Sequence, residues 1–133
     1  MTLSGSLNTI AGPGTLEKIG SELERTWSAY AHIPPDVRMH MTIAVAEIAA
    51  NIVEHTQPVN IQMEIRVLPH QVHVVFSDDG EPAKVDIAAA TMPTAAAERG
   101  RGLALAKSVL DRLAYYRDSL NRWTLISRSF SPA

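Results

Sequence analysis

Cysteine is absent from the chain, which excludes disulfide scaffolds, thiol nucleophiles and every cysteine-ligated zinc or iron–sulfur centre. Aromatic residues are scarce, at 5%. Trp27, Trp123, Tyr115 and Tyr116 fit core or interface use, since a base-stacking surface would also need a basic groove. No such excess exists: 12 basic against 14 acidic residues give a net charge of −2, which argues against nucleic acid as the main partner. Long apolar runs are missing too. None approaches the roughly 20 residues that span a bilayer, and the N-terminus carries no basic-then-apolar signal region. There is no internal repeat, low-complexity tract or dividing linker. What is present is 46% hydrophobic and 20% charged residues in 133 positions. That composition buries a real core and suits one domain over residues 1–133, expected to be soluble and cytoplasmic.

Periodicity supplies the elements. A short apolar piece from Leu7 to Ala11 reads as an edge strand. From Thr15 to Tyr30, apolar residues at 16, 19, 23, 27 and 30 follow the spacing of one buried helical stripe. Pro34-Pro35 breaks the pattern and opens a second helix running to about His55. At about 100° per residue, Met41, Ala44, Val45, Ile48 and Ile52 of that helix fall within about 60° of one line, its core face. Glu47 and Asn51 lie at about 240° and 280°, one turn apart on the edge of the stripe. His55, at about 320°, falls inside the stripe and suits packing or capping.

The middle of the chain alternates. Ile61, Met63, Ile65 and Val67 predict one strand, and Val72, Val74 and Phe76 the next, ending in the turn Ser77-Asp78-Asp79-Gly80. Residues 81–99 read as a loop with one helical turn. Gly100-Arg101-Gly102 then opens a helix with Leu103, Ala106, Leu110 and Leu113 at helical spacing. Strands at 115–117 and 122–128 close the chain. The order predicts an α+β fold, a two-layer α/β sandwich with helices on one face of a mixed, mainly antiparallel sheet.

Three clusters can carry chemistry: Glu47-x3-Asn51, Asp78-x-Gly80 and Gly100-x-Gly102. Each has an ordinary explanation, as solvated helix surface, as a turn, or as a loop before a helix. His70 and His73 lie three apart around a turn and point to opposite faces, which does not make a metal pair.

In order, the clusters resemble the GHKL (Bergerat) ATPase superfamily. Glu47-x3-Asn51-x3-His55 matches its N box; Phe76-Ser77-Asp78-Asp79-Gly80-Glu81-Pro82 resembles its first glycine box and Arg99-Gly100-Arg101-Gly102-Leu103 its second. Asp-Asp-Gly-x-Pro is similar to the compact branch of anti-sigma-factor serine/threonine kinases, as are Leu110 to Tyr115 and Asn121 to Leu125. The resemblance covers about residues 10–128. Pro82 replaces the second glycine of the broader box, and Arg101 stands where many relatives carry an apolar or small residue.

The resemblance implies ATP and Mg²⁺ as ligands. Asn51 would ligate the metal, and Glu47 would accept the proton of an attacking hydroxyl or orient it. Asp78 would receive the adenine amino group, supported by Thr124, with Gly80 letting the backbone approach the base. Gly100 and Gly102 would turn backbone N–H groups and a helix N-terminus towards the phosphates, with Arg101 and Leu103 in the same box. It further implies a protein kinase that phosphorylates a small STAS-type anti-anti-sigma partner and sequesters a sigma factor or equivalent target. Homodimerisation is implied too. A nucleotide-gated binding module and a stand-alone GHKL ATPase are the alternatives; the short segment between the glycine boxes disfavours the large lid that hydrolysis by water usually requires. A complete sensor histidine kinase is not expected at this length.

Overall fold

The computed structural model describes residues 3–54, 59–83, 87 and 98–131, and for 98–101 the backbone alone. Its elements run β1 (Gly5–Ile10), α1 (Thr15–Ala29), α2 (Pro35–Val53), β2 (Asn60–Val67), β3 (Val72–Asp78), α3 (Glu98–Val109), β4 (Arg112–Arg117) and β5 (Asn121–Ile126).

Helix α1 starts from Gly14, whose φ of 84° lies in the left-handed region that glycine tolerates without cost. The turn before it is fixed by the Thr15 hydroxyl, which accepts from the Gly12 N–H at 2.8 Å. That bond draws Thr15 inward, so Ile19, Leu23 and Trp27 form the buried stripe with Thr15 while Leu16, expected in it, is 48% exposed. Proline at the first position opens α2, where its missing N–H costs nothing. Arg38 ties the connection between the helices by donating to the carbonyls of Ile33 and Ala31, each at 2.8 Å. The buried face of α2 includes Met41, Ala44, Val45, Ile48 and Ile52, as its periodicity predicts. His55 lies outside the described residues.

Five strands form one sheet in the order β1-β2-β3-β5-β4, and every neighbouring pair is antiparallel. The expected parallel component is missing for a topological reason. The crossover β3–α3–β4 does make β3 and β4 parallel, but β5 inserts between them and is antiparallel to both.

Cross-strand register builds the core in rows. Ile65, Val74, Leu125 and Leu113 stand side by side on one face, then Met63, Phe76, Trp123 and Tyr115, then Ile61, Asp78, Asn121 and Arg117. The first two rows pack against Ile19, Leu23, Met41, Ile48 and Ala106 of the three helices in one hydrophobic cluster. The third row turns polar where the core ends.

Several boundaries differ from the sequence expectation: β1 is Gly5–Ile10 rather than 7–11, β4 begins at Arg112 rather than at 115, and β5 is Asn121–Ile126 rather than 122–128. Helix α3 begins at Glu98, so Gly100 and Gly102 lie within it rather than ahead of it. It stops at Val109, and Leu113 is buried from β4 instead of from the helix, because the Asp111 N–H already bonds the Ile126 carbonyl at 3.0 Å. Residues 81–99, expected as a loop, fall largely outside the described residues. Among those described, no helix is long and apolar enough to cross a membrane.

Candidate nucleotide site

Glu47 and Asn51 stand half-buried on α2 beside its fully buried stripe. Neither side chain hydrogen-bonds to any described residue, and no described buried side-chain nitrogen or oxygen lacks a partner, so both keep access to solvent. A carboxylate and a carboxamide held one turn apart with no structural duty are free for a ligand. Helix α3 closes against Glu47. A Cβ added to Gly102 would stand 2.5 Å from Glu47 Oε2, closer than real Cβ atoms come. Gly102 thus admits the Glu47 carboxylate against the helix backbone. This revises the role expected of it. Position inside α3 commits its N–H to the helix ladder, and its contribution is space. Gly100 remains in the first turn, where backbone N–H groups are left over by the helix. The side chain of Arg101 lies outside the described residues. Leu103 is a core residue, packed with Ala106 in the hydrophobic cluster.

The second half of the site is the polar row. Asp78 closes β3 with 2% of its surface exposed. Its Oδ1 accepts from the Gly80 N–H at 3.0 Å and from Asn121 Nδ2 at 2.9 Å. Its neighbour Asp79 is otherwise employed. Asp79 accepts from the side chain and the backbone N–H of Asn60, both at 2.7 Å, and these bonds, the side-chain one foremost, hold its carboxyl below the usual 3.8. The stability this adds is present above that ordinary value and is lost as pH falls through the lower, folded one. Asp79 therefore latches the start of β2 to the end of β3, and Asp78 is the carboxylate that faces the core side.

Thr124 does not support Asp78. In the register Asp78 pairs with Asn121 and Val75 with Thr124, so Thr124 projects from the opposite face of the sheet. The supporting residue is Asn121, 1% exposed, which sequence reasoning passed over. Strand alternation held the signal: Trp123 and Leu125 are the apolar, inward residues of β5, and Asn121 shares their parity while Thr124 does not.

Six residues, 54–59, separate α2 from β2, whose first residues lie beside the end of β3. The C-terminal half of α2, with Glu47 and Asn51, is thereby tethered to the end of the sheet that carries Asp78. A cavity of about 460 Å³ opens at that same end among Asn8, Ile10, Asn60, Gln62 and Ser77, touching Asp78 but neither Glu47 nor Asn51. It borders the site without defining it.

Among the described residues no group of three His, Cys, Asp or Glu side chains could hold a metal ion. His70 is engaged with the Phe130 carbonyl at 3.1 Å and His73 with Gln71 Oε1 at 3.3 Å. Partial burial, followed by the positive charge of Arg66 across the strand pair, lowers the His73 pKa below its ordinary 6.5. A hard cation shared with phosphate oxygens is a different case, since one free side-chain oxygen is enough of a protein contribution, and Asn51 has one.

A two-layer sandwich with an uncommitted Glu/Asn pair on a helix edge and a buried Asp at a strand end is the architecture of a nucleotide-binding module of the GHKL type. Residues 10–127 match the model of the histidine kinase-like ATPase domain. The chain belongs to that family and is an ATP-binding domain of the GHKL type. No curated protein matches it.

Proposed function

We propose that this chain is an ATP-dependent serine/threonine protein kinase and anti-sigma-type switch. It phosphorylates a small STAS-type anti-anti-sigma protein and holds a sigma factor or equivalent target. The observation that carries the reading is the Glu47–Asn51 pair, neither member hydrogen-bonded to a described residue, with the Glu47 carboxylate lying against Gly102. A pure binding module requires no free carboxylate beside the phosphates; a phosphotransferase does.

The roles follow from chemistry. Asp78 receives the 6-amino group of adenine on Oδ2, the oxygen to which no described residue donates. First-turn N–H groups of α3 meet the phosphates. Asn51 would hold Mg²⁺ by its side-chain oxygen, where the cation neutralises charge developing on the phosphate oxygens. Glu47 accepts the proton of the partner's serine or threonine hydroxyl as its oxygen bonds to the γ-phosphorus. The bond from that phosphorus to the β,γ-bridging oxygen breaks, and ADP leaves.

The test mixes the protein with radiolabelled ATP, Mg²⁺ and a STAS-type protein from the same genome. Label on the partner is expected with the native protein and is expected to vanish with Glu47→Gln, while ATP binding persists. Full transfer by Glu47→Gln would remove Glu47 from the mechanism. ATP consumption independent of the partner would favour the stand-alone ATPase, and ATP binding without turnover the nucleotide-gated module.

A further inference from the structure

The orientation of the Asn121 amide is fixed by its surroundings. One end of it meets the Arg117 guanidinium at 2.9 Å and the Tyr115 hydroxyl at 2.5 Å. A guanidinium only donates, so that end must be the carbonyl oxygen, and Nδ2 must face Asp78. Nδ2 then donates to Asp78 Oδ1 at 2.9 Å and to the Glu81 carbonyl at 2.8 Å. The Tyr115 hydroxyl, having given its proton to Asn121, accepts from the Ala83 N–H at 2.9 Å, and Arg117 also donates to the Gly80 carbonyl at 2.9 Å. Three side chains of the β4–β5 hairpin thus hold both the strand-end carboxylate and the segment that follows it.

The consequence for Asp78 is an asymmetry. A carboxylate with two open oxygens accepts two parallel N–H bonds, and the N1–H and 2-amino groups of guanine supply that pair. Oδ1 of Asp78 is already filled by Asn121 and Gly80. One oxygen remains, which suits the lone 6-amino group of adenine and leaves one guanine donor unpaired in a desolvated place. An unpaired buried donor is how a site rejects the wrong ligand.

We infer that Asn121 is a positioning residue that sets purine selectivity, by occupying Asp78 Oδ1 so that the site reads adenine and refuses guanine. The inference rests on the reading above that Asp78 receives the base. It is tested by titrating ATP and GTP, each with Mg²⁺, into the native protein, Asn121→Ala and Tyr115→Phe, with thermal melts alongside. The native protein is expected to prefer ATP at least tenfold. In Asn121→Ala that preference narrows by about tenfold, and in Tyr115→Phe, which frees the amide without deleting it, by about threefold. Should Asn121→Ala fail to fold, Tyr115→Phe carries the test.

Equal weakening of both nucleotides in the variants, with the ratio unchanged, would show a purely structural Asn121 and overturn the inference while ATP binding stands. A native protein that binds both nucleotides alike would overturn it too. Failure of the native protein to bind either one would instead strike down the nucleotide reading itself, and this inference with it.

Discussion

At Gly102 a hydrogen atom does what no side chain could. In the middle of a helix glycine is ordinarily a weakness, and replacing it with alanine is worth about 1 kcal/mol of added stability. Here the new methyl would stand 2.5 Å from Glu47 Oε2, the end of a flexible side chain that can swing aside. The fold therefore tolerates the change and the chemistry does not. Gly102→Ala is expected to keep or raise resistance to urea and to slow phosphate transfer by about tenfold to a hundredfold, as displaced catalytic groups do. Single-turnover transfer measured beside the urea melt separates the two effects. An undiminished rate would mean that Glu47 is not held in place for reaction. Asp78 and Asp79 make the complementary point, since adjacent and identical side chains take different duties. Asp79 is claimed by Asn60, whereas Asp78 keeps one oxygen open at the edge of the core.

At the scale of elements, helix α1 carries two glycines with opposite requirements. Gly14 starts it at φ 84°, with open space around a would-be Cβ, so only backbone conformation resists substitution there. Gly20 lies inside the helix with equally open space and an ordinary φ. Gly14→Ala is expected to lower stability by about 1 kcal/mol, and Gly20→Ala to raise it by up to about 1 kcal/mol. Chemical denaturation of the two variants measures both signs, and a gain at Gly14 would refute the left-handed start. The contrast also marks what the sequence could reveal about elements. Helices α1 and α2 and strands β2 and β3 were legible because each follows one unambiguous period. The end of α3 was not, since Leu110 and Leu113 satisfy helical spacing while Leu113 and Tyr115 satisfy strand spacing. The pairing of Asp111 with Ile126, fifteen residues away, decides between them.

At the scale of the whole molecule the site exists only through long-range register. Glu47 and Asn51 belong to one helix, so their shared edge could be read from spacing. Asp78 and Asn121 are 43 residues apart and meet because β5, rather than β4, lies beside β3. No local pattern contains that fact; Thr124 was expected beside Asp78 from the family resemblance alone, and the parity of β5 sets it on the other face. Since the ligand would touch α2, α3 and the end of the sheet at once, binding should stabilise the molecule as a unit. Ligand at a hundred times its Kd adds about 2.7 kcal/mol, a rise in Tm on the order of 10 °C for a domain of this size. On the proposed reading, ATP alone would gain only the base and phosphate contacts, and with Mg²⁺ present Asn51 would add its oxygen to the bound complex. The native protein is expected to melt higher in ATP with Mg²⁺ than in ATP with a chelator. Asn51→Ala should keep the chelator-level increase and lose the increment due to Mg²⁺. Were Asn51→Ala to retain that increment in full, the cation would have to be held by other groups, and the free oxygen on α2 would require another explanation.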